Sequence, residues 1–316
     1  IQGATPVEAT LRALKATADP NRLRILRILG RGPFNVAELT DVLGVTQSTV
    51  SRHLRILAEG GLVDVRRAGT WAWYSLRVEG DGFPSRLLQL LGDAGPALNG
   101  EREAVEQVLA RRRASTSEFF RRTAPEWDRL RHETLGPSAV LDRIVERIGR
   151  GPGTVVDLGT GTGLLLERVA SPDRRVIGVD ASPEMLQEAR RRVEETPLPA
   201  TELRLGSLEH LPLGDGEADI MVASMVLHHV ADVPAVLREL RRGLAPGGRL
   251  LVADLEEFDD AAFWQSLGAQ WPGFRREDLR AWLAEAGFER VRFERPDPDA
   301  SADRPVPFYV EAVRAS

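Results

Sequence analysis

The densest run of chemistry-bearing residues begins at Asp157. The apolar run Thr154-Val155-Val156-Asp157-Leu158 feeds directly into Gly159-Thr160-Gly161-Thr162-Gly163, and an apolar helical stretch follows, Leu164 to Val169. Glycines permit a tight strand-to-helix turn and let a ligand approach the backbone closely. A dinucleotide site would require G-x-G-x-x-G, and Leu164 stands where its third glycine belongs. Here the third glycine comes one residue early, a spacing that favours an adenosyl ligand without a pyrophosphate. The next apolar run, Val176-Ile177-Gly178-Val179, ends on Asp180. A carboxylate at a strand end roughly 20 residues past such a loop can accept from both ribose hydroxyls. Downstream, His228 or His229 could act as a base, with Asp254 near the same strand edge. The plainer alternative is that the histidine pair merely begins the next helix. Trp127, Trp264 and Trp271 could wall an apolar pocket, although lone tryptophans more often belong to a core.

These residues need a rigid frame, and the surrounding pattern predicts one. Strands at 154–158, 176–179, 201–205, 219–223 and 249–253 alternate with helices, which argues for a parallel sheet covered on both faces. Arg290 to Glu294 and Val306 to Val313 close it. Ser182-Pro183-Glu184 caps the helix carrying Met185, Leu186 and Ala189. Ahead of this frame, the Gly80-Asp81-Gly82-Phe83-Pro84 break is followed by a short helix, Ser85 to Leu91, and a linker, Gly92 to Gly100. A helix from Glu101 to about Arg122 comes next, with Val105, Val108 and Leu109 spaced for packing. Its Arg111-Arg112-Arg113 run reads as a solvated face. Phe119-Phe120 and Trp127 then form an aromatic segment that covers a ligand or packs.

The N-terminal portion has a different pattern. Two apolar helices break at Asp19-Pro20. A short helix at 36–43, the turn Gly44-Val45 and a helix from Gln47 to Ala58 capped by Thr46 come after them. Val50, Leu54 and Leu57 take the core face of that last helix. Gln47, Ser48, Ser51, Arg52 and Arg55 are left on the other face, suited to a major groove. Strands at 62–67 and 71–76 form a hairpin with Arg66 and Arg67 near its tip, which completes a winged helix-turn-helix.

Of the 316 residues, 42 % are hydrophobic and 28 % charged, which excludes a disordered or collagen-like chain and predicts about two domains. The net charge of −5 argues against a nucleic-acid partner until it is divided. Residues 1–78 carry 11 basic against 6 acidic side chains, a net +5, and the remainder is −10. Lys15 is the only lysine, so the cationic contacts are guanidinium contacts. No cysteine is present, which excludes disulfides and thiolate metal ligands and fits a cytoplasmic protein. No apolar run approaches the roughly 20 residues of a membrane span.

Two resemblances follow from these motifs. Leu14 to Leu26, reading LKATADPNRLRIL, and Val50 to Val63, reading VSRHLRILAEGGLV, resemble the ArsR family of bacterial repressors. That resemblance implies a homodimer on a double-stranded DNA operator. The segments Asp157 to Gly163, Asp180 to Leu186, Leu227 to Val230 and Leu244 to Leu250 together resemble class I S-adenosylmethionine-dependent methyltransferases. The expected architecture is an α+β winged helix-turn-helix domain at 1–78, a helical linker or dimerisation segment at 79–114, and an α/β Rossmann-like methyltransferase domain at 115–316. The second domain would have a seven-stranded, mostly parallel sheet whose last strand is antiparallel. The resemblance implies S-adenosyl-L-methionine or S-adenosyl-L-homocysteine held by Asp157, Gly159, Thr160, Gly161, Gly163 and Asp180. Ala181, Met185, Ser207, Leu208 and Ser224 would complete that contact. Ser207 stands where the family often has an acid for the adenine amino group. Missing cysteines argue against metal sensing and against arsenite as the methyl acceptor, and no metal or membrane partner is expected. The function expected is regulation coupled to methylation of a small molecule. The alternative is a regulator that senses the cofactor without turnover.

Overall fold

The computed structural model describes residues 6–68, 71–77, 86, 99–135, 139–196, 200–295 and 305–316. Apart from Arg86, the expected helix at 85–91 falls outside these residues, as does most of the 92–100 linker. The chain divides into two compact units, Ile1–Arg112 and Arg113–Ser316, with Asp259–Ala261 grouped with the first. Among the described residues, no helix is long and apolar enough to cross a membrane.

In the first unit, α1 (Pro6–Thr17), α2 (Pro20–Leu29), α3 (Val36–Leu43) and α4 (Gln47–Glu59) surround a small sheet. That sheet is made of β1 (Phe34–Asn35), β3 (Trp71–Leu76) and β2 (Val63–Ala68), in that order. Asp19 caps α2 by accepting from the backbone N–H groups of Asn21 and Arg22. Asn35 and Glu38 form a reciprocal capping box at the start of α3. Gly44, at φ +67°, makes the left-handed turn into α4, which Thr46 caps. Leu39, Leu54 and Leu57 are fully buried between these helices. β1 escaped the sequence reading because two residues are too few to show a period. His53 is buried with its Nδ1 3.9 Å from Asp19 Oδ1, so it is a packing residue.

The helix α5 (Asn99–Thr123) departs from its expected solvated face. Arg112 is buried, donates to both carboxylate oxygens of Glu38 and stacks over the Phe34 and Trp73 rings. Arg111 pairs with Asp41 at 2.7 Å. A run of three arginines at successive helical positions points in three directions, so one description could not fit them all.

The second unit contains α6 (Trp127–Leu135), α7 (Ala139–Ile148), β4 (Gly153–Leu158), α8 (Leu164–Val169), β5 (Arg174–Asp180), α9 (Pro183–Glu195) and β6 (Thr201–Leu205). These are followed by β7 (Ala218–Ser224), α10 (Val233–Gly243), β8 (Leu244–Leu255), α11 (Ala261–Ser266), α12 (Arg276–Glu285), β9 (Phe288–Glu294) and β10 (Pro307–Arg314). The sheet order is β6-β5-β4-β7-β8-β10-β9, with β10 antiparallel to both neighbours and the other pairs parallel. Val155, Val156, Val176 and Ile177 are all buried because helices cover both faces of the central strands. α10 and α12 pack one face through Val236, Leu237, Leu279 and Leu283. α7 and α8 pack the other through Ile144, Ile148, Leu166 and Val169. The chain leaves β4 toward β5 on one side and returns to β7 on the other. This opens a crevice beyond the carboxyl ends of these strands.

Candidate cofactor and acceptor site

The loop after β4 enters that crevice. Gly159, Gly161 and Gly163 take φ values of +64°, +54° and +83°. A Cβ at Gly159 would come within 2.3 Å of Val226 Cγ2, so only glycine fits without moving the segment after β7. Gly163 differs from the expectation. It precedes the first residue of α8, packs on Ala189 and takes no part in the crevice wall, so it serves the turn and not the binding surface.

Asp157 is buried, and Thr160 Oγ1 donates to its Oδ2 at 2.7 Å. Burial pushes the Asp157 carboxyl up to about 7; the Thr160 hydroxyl opposes the rise and the nearby Asp180 adds to it. Asp180 is also pushed up by burial, against backbone N–H groups that stabilise its charge. Its Oδ2 accepts from Gly161 N at 2.8 Å and its Oδ1 from Ser182 N at 2.9 Å. A carboxylate has about four lone-pair sites, and backbone N–H groups of Gly161, Ala181 and Ser182 meet it, so it keeps acceptor capacity for a ligand hydroxyl.

A cavity of about 1370 Å³, including its open mouth, covers these groups. Its floor is Asp157, Gly159, Thr160, Gly161 and Asp180, with Ala181 and Met185 beside them. Ser207, Leu208 and Ser224 also face it. Hydroxyl-accepting lone pairs, a glycine cradle and apolar Met185 and Leu208 suit the sugar, amino-acid and base portions of an adenosyl amino acid.

Of the two histidines, His229 lines the cavity and His228 does not. Leu227–His229 form one 3-10 turn, so the pair does not begin α10. His228 Nδ1 meets Asp254 Oδ1 at 2.7 Å, and neither residue reaches the cavity wall. His229 Nδ1 lies 3.4 Å from the Gly268 carbonyl, and its Nε2 is buried with no partner among the described residues. Burial, then the neighbouring His228, drive the His229 pKa well below 6.5, against a hydrogen bond to Gly268.

The three tryptophans separate in the same way. Trp127 lines the cavity, in edge contact with Phe120 at 5.1 Å. Trp264 and Trp271 are core residues, each with its indole N–H on a backbone carbonyl, Phe258 and Val230 respectively. Sequence reasoning missed Arg113, Thr116 and Ser117, which share one face of α5 on the cavity wall with the expected Phe120, and also Arg131 and Glu209. The first four stand at i, i+3, i+4 and i+7, a stripe that could have been read from spacing alone.

On the first unit, Gln47, Ser48, Ser51, Arg52 and Arg55 are all exposed along α4. Arg66 departs from expectation. It is 4 % exposed in β2, opposite Trp73, because the alternation of the hairpin turns it inward. Arg67 follows it in the strand, and its side chain lies outside the described residues.

Comparisons with known proteins bear on both units. A methyltransferase-domain family profile matches residues 156–252 and a helix-turn-helix profile matches residues 17–66. An arsenite methyltransferase of Halobacterium salinarum is 34 % identical over 175 residues, 50 % of this chain and 45 % of that protein. The methyltransferase sll0829 of Synechocystis is 33 % identical over 159 residues, 47 % of this chain and 73 % of that protein. A solved structure of a Haemonchus contortus phosphoethanolamine N-methyltransferase overlays with a TM-score of 0.55 at 14 % identity, covering 84 % of this chain and 74 % of that one. The chain spans only about a third to a half of the length of the first curated relatives it matches.

Proposed function

Because this chain belongs to the class I S-adenosylmethionine-dependent methyltransferases and carries an ArsR-type helix-turn-helix domain, we propose that it is a DNA-binding regulator fused to an active methyltransferase of a small molecule. The observation that carries the reading is the pairing of Gly161 N with Asp180 Oδ2 at 2.8 Å, which couples the glycine loop to the next strand end. Asp180 would accept from the ribose on its remaining acceptor capacity, and Gly159 and Gly161 would take the amino-acid portion. Asp157 would support the loop through Thr160. Ser207 and Leu208 would meet the adenine. When bound, S-adenosylmethionine supplies an electrophilic methyl group.

Methyl transfer is an in-line displacement, so holding the reactants in place can supply most of the acceleration. Trp127 and Phe120 would confine the acceptor and exclude water. A proton leaving the acceptor would go to His229 Nε2, whose lack of a partner supports that role. His228 and Asp254 act in this reading only by holding the turn. Arg52, Arg55 and the neighbouring Gln47, Ser48 and Ser51 would meet an operator, with Arg67 reaching a phosphate. A homodimer is part of the reading, supported by Val7, Leu11 and Leu14, which leave an apolar stripe exposed on α1. A cytoplasmic setting fits these partners.

Calorimetric titration of the full chain with S-adenosylhomocysteine tests the cofactor half. One site per chain, lost in Asp180→Ala, is the expected result, and no binding by the unaltered chain would overturn the reading.

A further inference from the structure

The acceptor half of the cavity has its own chemistry. Arg113 lines it and makes no hydrogen bond or ion pair with any described residue. Its neighbours Arg111 and Arg112 are engaged by Asp41 and Glu38. A half-buried guanidinium on a concave wall with no carboxylate partner keeps its forked donors free for an anionic ligand. The acids of the cavity, Asp157, Asp180 and Glu209, all belong to strand ends or the loop after β6 and none to α5, so an anion is favoured on the helical wall.

The same wall is aromatic. Phe120 stands edge-on to His229 at 4.7 Å and to Trp127 at 5.1 Å, a set of faces and edges that suits a flat ring. Arg113 and Phe120 are seven residues apart on one helix, an axial rise of about 10 Å. A ring that carries a carboxylate can lie along this wall, the carboxylate toward Arg113 and the ring toward Phe120, whereas a small inorganic ion would leave the aromatic part of the wall unused.

Arg131 is a second cation on the wall, with a buried Nε that lacks a hydrogen-bond partner. It follows Asp128, whose carboxylate is engaged by Thr162 of the glycine loop and by Arg192. Arg131 therefore feels the charge of Asp128, whereas Arg113 pairs with no described acid.

We propose that the methyl acceptor is a small aromatic acid, its carboxylate held by Arg113 and its hydroxyl or amino group presented to His229. The inference rests on the methyltransferase reading above. In the step it implies, the acceptor heteroatom bonds to the methyl carbon as the sulfur–carbon bond breaks. The electron pair stays on sulfur and the heteroatom's proton passes to His229 Nε2.

The test is calorimetry on the full chain saturated with S-adenosylhomocysteine, titrated with 4-hydroxybenzoate and with its uncharged counterpart 4-hydroxybenzamide. The acid is expected to bind about tenfold tighter. In Arg113→Gln the two are expected to bind alike, with the affinity for S-adenosylhomocysteine unchanged, and Arg113→Lys should keep part of the preference. Equal binding of acid and amide to the unaltered chain, binding of neither, or an Arg113→Gln chain that keeps the preference would overturn the inference. So would an Arg113→Gln chain that loses S-adenosylhomocysteine instead. A chain that never binds S-adenosylhomocysteine would overturn the methyltransferase reading itself, so the two failures are distinguishable.

Discussion

His228 Nδ1 and Asp254 Oδ1 meet at 2.7 Å with both side chains withdrawn from solvent, and the residue after this contact, His229, forms part of the cavity wall. Asp254 also accepts from the backbone N–H groups of Leu227 and Leu255, so one carboxylate ties the end of β8 to the histidine turn. Replacing it with alanine leaves His228 and two amides without their acceptor inside the protein. Asp254→Ala is expected to lose roughly 3 kcal/mol of stability. Urea unfolding followed by tryptophan fluorescence measures this, and an unchanged midpoint would show that the contact holds nothing.

The environment of His229 fixes a pH response. Burial first, and then the adjacent His228, disfavour its charged form, so the ring stays neutral well below pH 6.5. Protonation would occupy the Nε2 lone pair and stop proton acceptance. The turnover number should therefore be level from about pH 6 to 8 as far as this group is concerned, and fall only in more acid solution. A pH profile at saturating cofactor and acceptor tests it, and an acid limb centred between about 6 and 7 would contradict it.

Asp157 gives a stability prediction of defined sign. Its folded-state pKa of about 7 lies above the ordinary 3.8, so the folded chain holds this proton more tightly than the unfolded one. The stabilisation is complete below the ordinary value and is lost as pH rises toward 7. Asp157→Asn keeps an acceptor for Thr160 but carries no charge. The ligand-free variant should be more stable than the unaltered chain at pH 8, by roughly 1–3 kcal/mol, and nearly equal to it at about pH 4. Calorimetric melting at the two pH values reads this, and a variant less stable at pH 8 would refute it.

The two kinds of arginine in the first unit should part in a DNA-binding assay. Arg52→Ala and Arg55→Ala, on the exposed face of α4, are each expected to weaken DNA binding by about 1–3 kcal/mol or to flatten its salt dependence. Arg66→Ala should instead lower the melting temperature of the first unit, since that side chain is buried. Anisotropy titrations on promoter DNA at two salt concentrations, with thermal melts alongside, separate the effects. Equal loss of DNA affinity in all three would contradict the assignment.

The sequence carried the sheet and the cofactor loop well because both are local patterns. Five apolar runs each lead to a turn, and the glycine spacing after Asp157 depends on a few adjacent residues. The sheet has the seven strands and the antiparallel last strand, β10, that the resemblance implies. What could not be read depends on which way a side chain turns in three dimensions. His228 and His229 are adjacent, yet one is tied to Asp254 and the other faces the cavity. Arg66 belongs to a hairpin tip by sequence and to the interior by strand alternation. Trp264 and Trp271 look like pocket walls by composition, but their indole N–H groups are taken by backbone carbonyls. The cavity wall at Arg113, Thr116, Ser117 and Phe120 is a helical stripe by spacing, but the adjacent Arg111-Arg112-Arg113 run hides that period behind charge.

The most direct test of methylation is turnover by the full chain. The chain is incubated with S-adenosylmethionine carrying a trideuterated methyl group and a small-molecule extract of its source cells, and products are followed by mass spectrometry. The expected result is a deuteriomethylated small molecule appearing in step with S-adenosylhomocysteine. His229→Phe, which keeps the ring packing and lacks Nε2, should form it roughly 10²–10⁴ times more slowly. A chain that binds S-adenosylhomocysteine in the calorimeter but never yields a labelled product would contradict turnover.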